Sequence, residues 1–377
     1  MSNTFEVISL CRSSRDIDRF MKVSYGIYAG DPYWVAPLLM DLKKVFLDSN
    51  PLFEHARMQL WVLRKDGRDV GRIAGLFDDF HNQSRPDKTV FFGFFECVDD
   101  INAARTLFDA VSAWGRQLGA AKMLGPMNPT TNDECGLLVK GFDSMPVFMM
   151  PYNPSYYAVL MEGLGFVKAK DLLAFHLNLD VVPLARLSRI AQKVQQRHPE
   201  VLFRAVKKKE LDQVLERIKQ VYNDAWEENW GFVPMTVKEM DFMAERLKPM
   251  MVEGLLWLAE VGPKTVGFLL TLPDYNPVMQ PLKGKLLTPA IFGFLPYMLH
   301  WKKLPRARVL TLGITKEYRN KGLESAMLIE GMKVAVASGL REAEASWILE
   351  DNHRMTRVME AIGGNPNKVY RLYDRAV

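Results

Sequence analysis

The stretch GITKEYRNKGLESAM, residues 313–327, joins the end of an alternating apolar run, RVLTLGI (308–314), to a helix-like pattern over 322–338 that stops at Gly339. That order is a strand, a turn and a helix. The first turn of a helix carries backbone N–H groups without internal partners, and about half a positive charge. A glycine there, Gly322, lets the backbone approach an anion closely, and Arg319 and Lys321 add side-chain cations. The residue types suit a phosphate cradle.

Upstream, VLFRAV (201–206) reads as a short strand. Leu211, Val214, Leu215, Ile218, Val221 and Tyr222 then recur at helical spacings of three and four. Residues 236–251 read as a second helix. LLWLAEV (255–261) and TVGFLLT (265–271) flank a Gly-Pro turn and form a hairpin. Beyond Gly339, residues 344–349 are a strand, 353–362 a helix stopped by Gly363 and Gly364, and KVYRLY (368–373) a last strand.

The first half repeats this order. Strand 5–10, helices 16–28 and 38–47, and a hairpin of 59–64 with 69–77 are followed by the strand VFFGFFECV (90–98). Helix 101–118, strand 122–125, helix 156–164 and the strand DLLAFHLNL (171–179) complete it. Each half runs β-α-α-β-β-β-α-β-α-β, as a tandem duplication would. The expected fold class is α/β (α+β, mixed sheet) in two tandem domains, 1–180 and 201–377. A linker, 181–200, carries an amphipathic helix over 184–196.

Residues 210–377 resemble the Gcn5-related N-acetyltransferase (GNAT) superfamily. Its acyl-CoA pyrophosphate loop reads Gln or Arg, two residues, Gly, one residue, then Gly or Ala; Arg319, Gly322 and Glu324 stand at those three places. The element order, the strand EASWIL (344–349) and Asn352 opening the next helix match as well. The resemblance implies two tandem GNAT-like domains and an acyl-CoA-dependent N-acyltransferase, with acetyl-CoA or a longer acyl-CoA as donor, attacked directly by an amine. It implies a donor site of Leu312, Ile314, Arg319, Asn320, Lys321, Gly322, Leu323 and Asn352, with a backbone N–H near Ile314 polarising the thioester carbonyl. Two positions depart from the family. Glu324 replaces a small residue, and the tyrosine that protonates the leaving thiolate falls near Val358 or Met359, neither of which is an acid.

The first half lacks the loop. VDDINAAR (98–105) is acidic and without glycine, so this copy is expected to be degenerate and to support the acceptor pocket of the other. Residues 125–157, GPMNPTTNDECGLLVKGFDSMPVFMMPYNPSYY, form a stretch too long for an idle connector. They resemble those of bacterial N-acyltransferases that make ceramide, which implies a lipid amine as one acceptor. Within the stretch, Glu134 beside Asp133 and Cys135 is a candidate base; general-base help is worth roughly 10²–10⁴ in rate. The alternative is that Asp133 or Glu134 caps a helix or pairs with Lys140. In YNDAWEENWGF (222–232), the acceptor-side turn of the superfamily, Glu228 is a second candidate beside Glu227, Asn229 and Trp230. Exposed helix-end charge explains these residues equally, and the four-residue spacing of Trp226 and Trp230 fits packing. His353 is a third candidate base, or a solvated helix-start histidine. Tyr370 and Tyr373 are substitute acids or packing residues. Residues 147–152 and 291–301 suit an oily pocket or a plain core.

Bulk properties narrow the class. With 48% hydrophobic and 25% charged residues among 377, the chain is globular and long enough for two or three domains. A net charge of +5 suits an anionic ligand such as CoA, and no basic run long enough for nucleic acid stands out. Three dispersed cysteines exclude a disulfide framework and a zinc site. No signal peptide or apolar run of about 18 residues is present, so the expectation is a cytoplasmic protein with at most peripheral membrane contact and no metal. The partner is then a small-molecule or lipid amine acceptor. Two other functions fit the same residues: an inactive GNAT-fold protein that binds CoA or scaffolds a partner, and a transferase using charged tRNA on a doubled fold.

Overall fold

Asp66 and Gly67 both take positive φ, 49° and 78°. A two-residue turn of that kind matches the twist of paired strands, so it closes the hairpin of Ala56–Lys65 with Arg68–Asp78. The computed structural model that shows this describes residues 5–83, 85–227 and 229–377. The chain divides into two units. One holds the residues up to Leu172 with Met279–Thr288 and Lys368–Val377; the other holds Leu173–Val278 and Pro289–Asn367.

The first unit runs β1 (Glu6–Leu10), α1 (Ser14–Ile27), α2 (Leu39–Phe46), β2 (Ala56–Lys65), β3 (Arg68–Asp78), α3 (Asp79–Gln83), β4 (Thr89–Cys97), α4 (Ile101–Gln117) and β5 (Lys122–Gly125). It continues through β6 (Met127–Asn128), β7 (Glu134–Cys135), β8 (Leu137–Lys140), α5 (Tyr156–Gly163) and the start of β9 (Val167–Asn178). β1 to β4 pair antiparallel in order, and β4 pairs parallel with β5. Phe108 of α4 packs its ring against Phe92, Phe95 and Phe166 at 5.1, 4.9 and 4.9 Å. Residues 373–376 pair antiparallel with β5, so the chain's own last strand completes this sheet. Backbone pairing, which sequence pattern alone cannot assign, draws the C-terminus into this unit.

The second unit contains α6 (Leu184–Arg197), β10 (Val201–Ala205), α7 (Leu211–Trp226), α8 (Val237–Leu247), β11 (Leu256–Val261) and β12 (Lys264–Pro273). Then come α9 (Asn276–Met279), α10 (Ile291–Leu299), β13 (Arg306–Ile314), α11 (Leu323–Ala337), β14 (Glu342–Leu349), α12 (His353–Ala361) and the start of β15 (Asn365–Ala376). β10 to β13 pair antiparallel in order, and β13 runs parallel to β14. α6, the helix expected in a linker, buries Leu187, Ala191 and Val194 in one core with Leu323, Ala326, Met327 and Ile329 of α11. An amphipathic helix needs a surface to cover, and α11 supplies it.

His81 on α3 is buried edge-on to Phe91 at 4.7 Å, and neither ring nitrogen has a hydrogen-bond partner among the described residues. Burial, assisted by Arg85, pushes its pKa down from 6.5 to about 4. The unfolded chain takes up the proton first, so stability should fall as pH drops from about 6.5 to about 4. His81→Leu is expected to flatten that decline in urea midpoints while leaving the pH 7 midpoint nearly unchanged, because no hydrogen bond is lost. An identical pH dependence in both chains would refute this.

Candidate functional site

Along β13, Ile314, Gly313, Leu312 and Thr311 face Gly267, Phe268, Leu269 and Leu270, and then Val309 faces Thr271. Leu310 is therefore an extra residue, a bulge that bends the strand. β13 and β14 pair only from Arg306 opposite Glu342 to Val309 opposite Ala345, so they part at the bulge. The Thr315 N–H donates to the Val266 carbonyl at 2.9 Å. Alternation along the ladder then turns the N–H groups of Leu312 and Ile314 away from β12, toward the side β14 has left.

The turn after β13 is pinned to the end of α7. The Lys316 N–H donates to the Asp224 carboxylate at 3.0 Å, and Arg319 Nη2 donates to the carbonyls of Asp224 and Ala225 at 3.0 and 3.1 Å. Arg319 thus braces the loop as well as charging it. Asn320 and Gly322 take left-handed φ, 65° and 81°, and Gly322, the N-cap of α11, has no side chain with which to cap it. The Ala326 N–H already bonds the Gly322 carbonyl at 3.1 Å, so the orphan donors are those of residues 323–325. Lys321 Nζ lies 4.3 Å from the centre of the Tyr318 ring.

Glu324 does not stand unopposed. Arg354, in the first turn of α12, donates to Glu324 Oε2 at 2.7 Å and to Asn320 Oδ1 at 2.6 Å. The departure at Glu324 is thereby compensated by a cation thirty residues away, which no local spacing signals. Trp226 fixes the other flank. It stacks on Tyr222 at 4.7 Å and lies so close to Gly313 that a Cβ there would meet its ring at 2.3 Å. The aromatic residues of 222–232 thus include a packing element.

The remaining candidates fall in different places. Asn352 caps α12 by accepting the Met355 N–H at 3.1 Å, and His353 is exposed at the first position of that helix. Leu312, Ile314, the 319–323 loop and the start of α12 therefore belong to one neighbourhood of the second unit. Glu134 lies in the first unit, in β7 opposite Asn128. Its neighbour Asp133 accepts the Thr130 hydroxyl at 2.8 Å, and Cys135 is buried. Glu228 lies outside the described residues. Met359 is in the core, and Tyr370 and Tyr373 are buried, with Tyr373 pushed up to about 12 chiefly by burial; they pack. Among the described residues no cluster of three or more His, Cys, Asp or Glu could hold a metal.

The first unit treats the same features differently. β4 and β5 part after Phe91 opposite Leu124, but Asn128 Oδ1 accepts the Phe94 N–H at 2.6 Å. A Cβ on Gly93 would lie 1.7 Å from the Met127 carbonyl oxygen, so β6 already lies against β4. The start of α4 is capped by the Asp100 carboxylate, which accepts from the N–H groups of Asn102 and Ala103 at 2.9 and 3.3 Å. The 125–157 stretch is ordered by the β6–β7 pair and by β8, elements too short for periodicity to reveal.

Two α/β units, the second with a bulged strand parting from its parallel neighbour and a helix opened by a glycine, have the fold of a tandem GNAT protein. Solved structures agree. A tandem GNAT protein from the clavulanic acid biosynthesis pathway, without AcCoA, is similar over 99% of this chain and 98% of its own, with 13% identity and a TM-score of 0.58. A GCN5-related N-acetyltransferase from Sphaerobacter thermophilus is similar over 99% and 95%, with 13% identity and a TM-score of 0.51. No family model matches the chain. It is 31% identical over 385 residues to Protein YghO of Escherichia coli (strain K12), covering 100% of this chain and 98% of that protein. It is 33% identical over 374 residues to the bacterial ceramide synthase of Caulobacter vibrioides, covering 97% and 96%. The chain belongs to the family of these two proteins.

Proposed function

We propose that the protein transfers an acyl group from acetyl-CoA or a longer acyl-CoA to an amine, by direct attack, and that the amine is hydrophobic or a lipid. The observation that carries this is the parting of β13 from β14 at Leu310, beside a helix start whose N-cap is a glycine. CoA supplies the activated thioester. Orphan N–H groups at 323–325, with Arg319, Asn320, Lys321 and Gly322, fit its pyrophosphate, and the bare glycine leaves room for the anion. Leu312 and Ile314 present backbone N–H groups that suit the acyl arm and the thioester carbonyl, with Asn352 at the far side. Arg354 offsets the carboxylate of Glu324, so the loop can accept negative charge. Glu134, Glu228 and His353 are the groups proposed to take the proton that an attacking amine sheds; His353 is the one in the loop's neighbourhood.

The lipid acceptor rests on the relative named bacterial ceramide synthase, since ceramide is the amide of a long-chain amino alcohol. A second reading, an inactive CoA-binding or scaffold protein, is favoured by Val358 and Met359 standing where the family has its tyrosine. Incubation with palmitoyl-CoA or acetyl-CoA and a long-chain 2-amino-1,3-diol separates the two. We expect free thiol and amide in equal amounts. CoA-dependent thermal stabilisation without thiol release from any amine would select the inactive reading.

A further inference from the structure

One residue anchors α10 to its unit. Phe294 is 4% exposed and meets Tyr275 edge-on at 6.3 Å. Phe292, Leu295 and Leu299 are 76%, 45% and 77% exposed. Their spacing of three and four puts them on one face of the helix, and that face is turned to solvent. A single exposed leucine is ordinary, but three large apolar side chains on one helix face mark a contact surface. The chain turns at Trp301–Lys303, where Lys302 and Lys303 are exposed. Between Asp274 and Glu317 the sequence contains no Asp or Glu.

We propose that this face of α10, with Lys302 and Lys303, docks on the surface of an anionic lipid bilayer. Charge complementarity selects that occupant. A second copy meeting this face two-fold would set the same lysines against each other, with no carboxylate from this segment to answer them. An anionic headgroup layer answers them everywhere. Nine residues of helix span about 14 Å, well short of the ~30 Å hydrocarbon core, so the helix lies in the interface plane. Phe292, Leu295 and Leu299 enter the acyl boundary while the lysine stems reach back to phosphates. The proposal stands whether or not the chain transfers an acyl group.

Sedimentation of the full chain with vesicles tests it. Wild type is expected to pellet with phosphatidylglycerol-containing vesicles, and roughly tenfold less with pure phosphatidylcholine or at high salt. The double variants Phe292→Ser/Leu299→Ser and Lys302→Glu/Lys303→Glu should each lose most binding while keeping the wild-type melting temperature. Val159→Ser, at an exposed position in the first unit, should bind as wild type does. Failure of wild type to pellet overturns the proposal, as does pelleting of Phe292→Ser/Leu299→Ser to the wild-type extent. So does a wild-type dimer that this variant converts to monomer without any vesicle binding, which would make the face a contact between copies.

Discussion

Acetyl-CoA and palmitoyl-CoA, the donors proposed above, are expected to stabilise the wild type against heat but not the Gly322→Trp chain. Gly322 sits at φ 81°, where an L residue costs about 1–2 kcal/mol, and a Cβ there lies 3.2 Å from Val194 Cγ2. With Val194 behind it, an indole is forced outward over the N–H groups of residues 323–325. We expect the dissociation constant to rise at least ~100-fold, about 2.7 kcal/mol. Gly322→Ala carries the backbone strain without the bulk and should weaken binding about tenfold, a shift of about 1.4 kcal/mol. Melting temperatures without ligand separate folding damage from lost binding. Glu324→Gln should act in the opposite direction, because it removes a carboxylate from the loop and frees Arg354. Undiminished stabilisation of Gly322→Trp by palmitoyl-CoA would place the donor elsewhere.

That loop was legible because its chemistry is contiguous. A strand, two cations, a glycine and a helix follow one another within 308–327, and each is a local property of the chain. The distant contacts that hold the loop were not legible. Arg354 reaches Glu324 and Asn320 only after α11, β14 and α12 have folded back, and the carbonyls that Arg319 grips belong to α7. The repeated element order was readable from apolar period, which fixes helices and strands one at a time. The last strand's pairing with β5 was not, because an alternating strand such as 368–373 fits many edges equally well. The oily segment 291–301 shows the same boundary. Its composition marks it as apolar, but only the packing of Phe294 on Tyr275 shows which face is inward.

The largest effect on stability is expected in the first unit, at Glu96 of β4. Its carboxylate accepts from Arg72 at 3.3 Å and from the Tyr157 hydroxyl at 2.8 Å, while Arg72 also donates to the Phe20 carbonyl at 3.1 Å. Both charged side chains are buried. Glu96→Ala strands the guanidinium, and an uncompensated buried charge costs about 3–5 kcal/mol. Replacing the pair with apolar side chains, Arg72→Met with Glu96→Leu, should recover most of that loss, since a well-packed apolar pair is often as stable as the ion pair. The carboxyl is also pH-sensitive. Burial raises its pKa above the ordinary value, although Arg72 and the tyrosine hydroxyls oppose the shift. The native state therefore holds its proton to higher pH than the unfolded chain does. The stability this adds is full at acid pH and fades as pH rises through the native value, and Glu96→Gln should remove that dependence. Two units need not unfold together, so amide exchange in β3 and β4 is the measurement that isolates this one. A Glu96→Ala loss under ~1 kcal/mol there would show that Arg72 finds another partner or water, and that the pair does not hold the unit together.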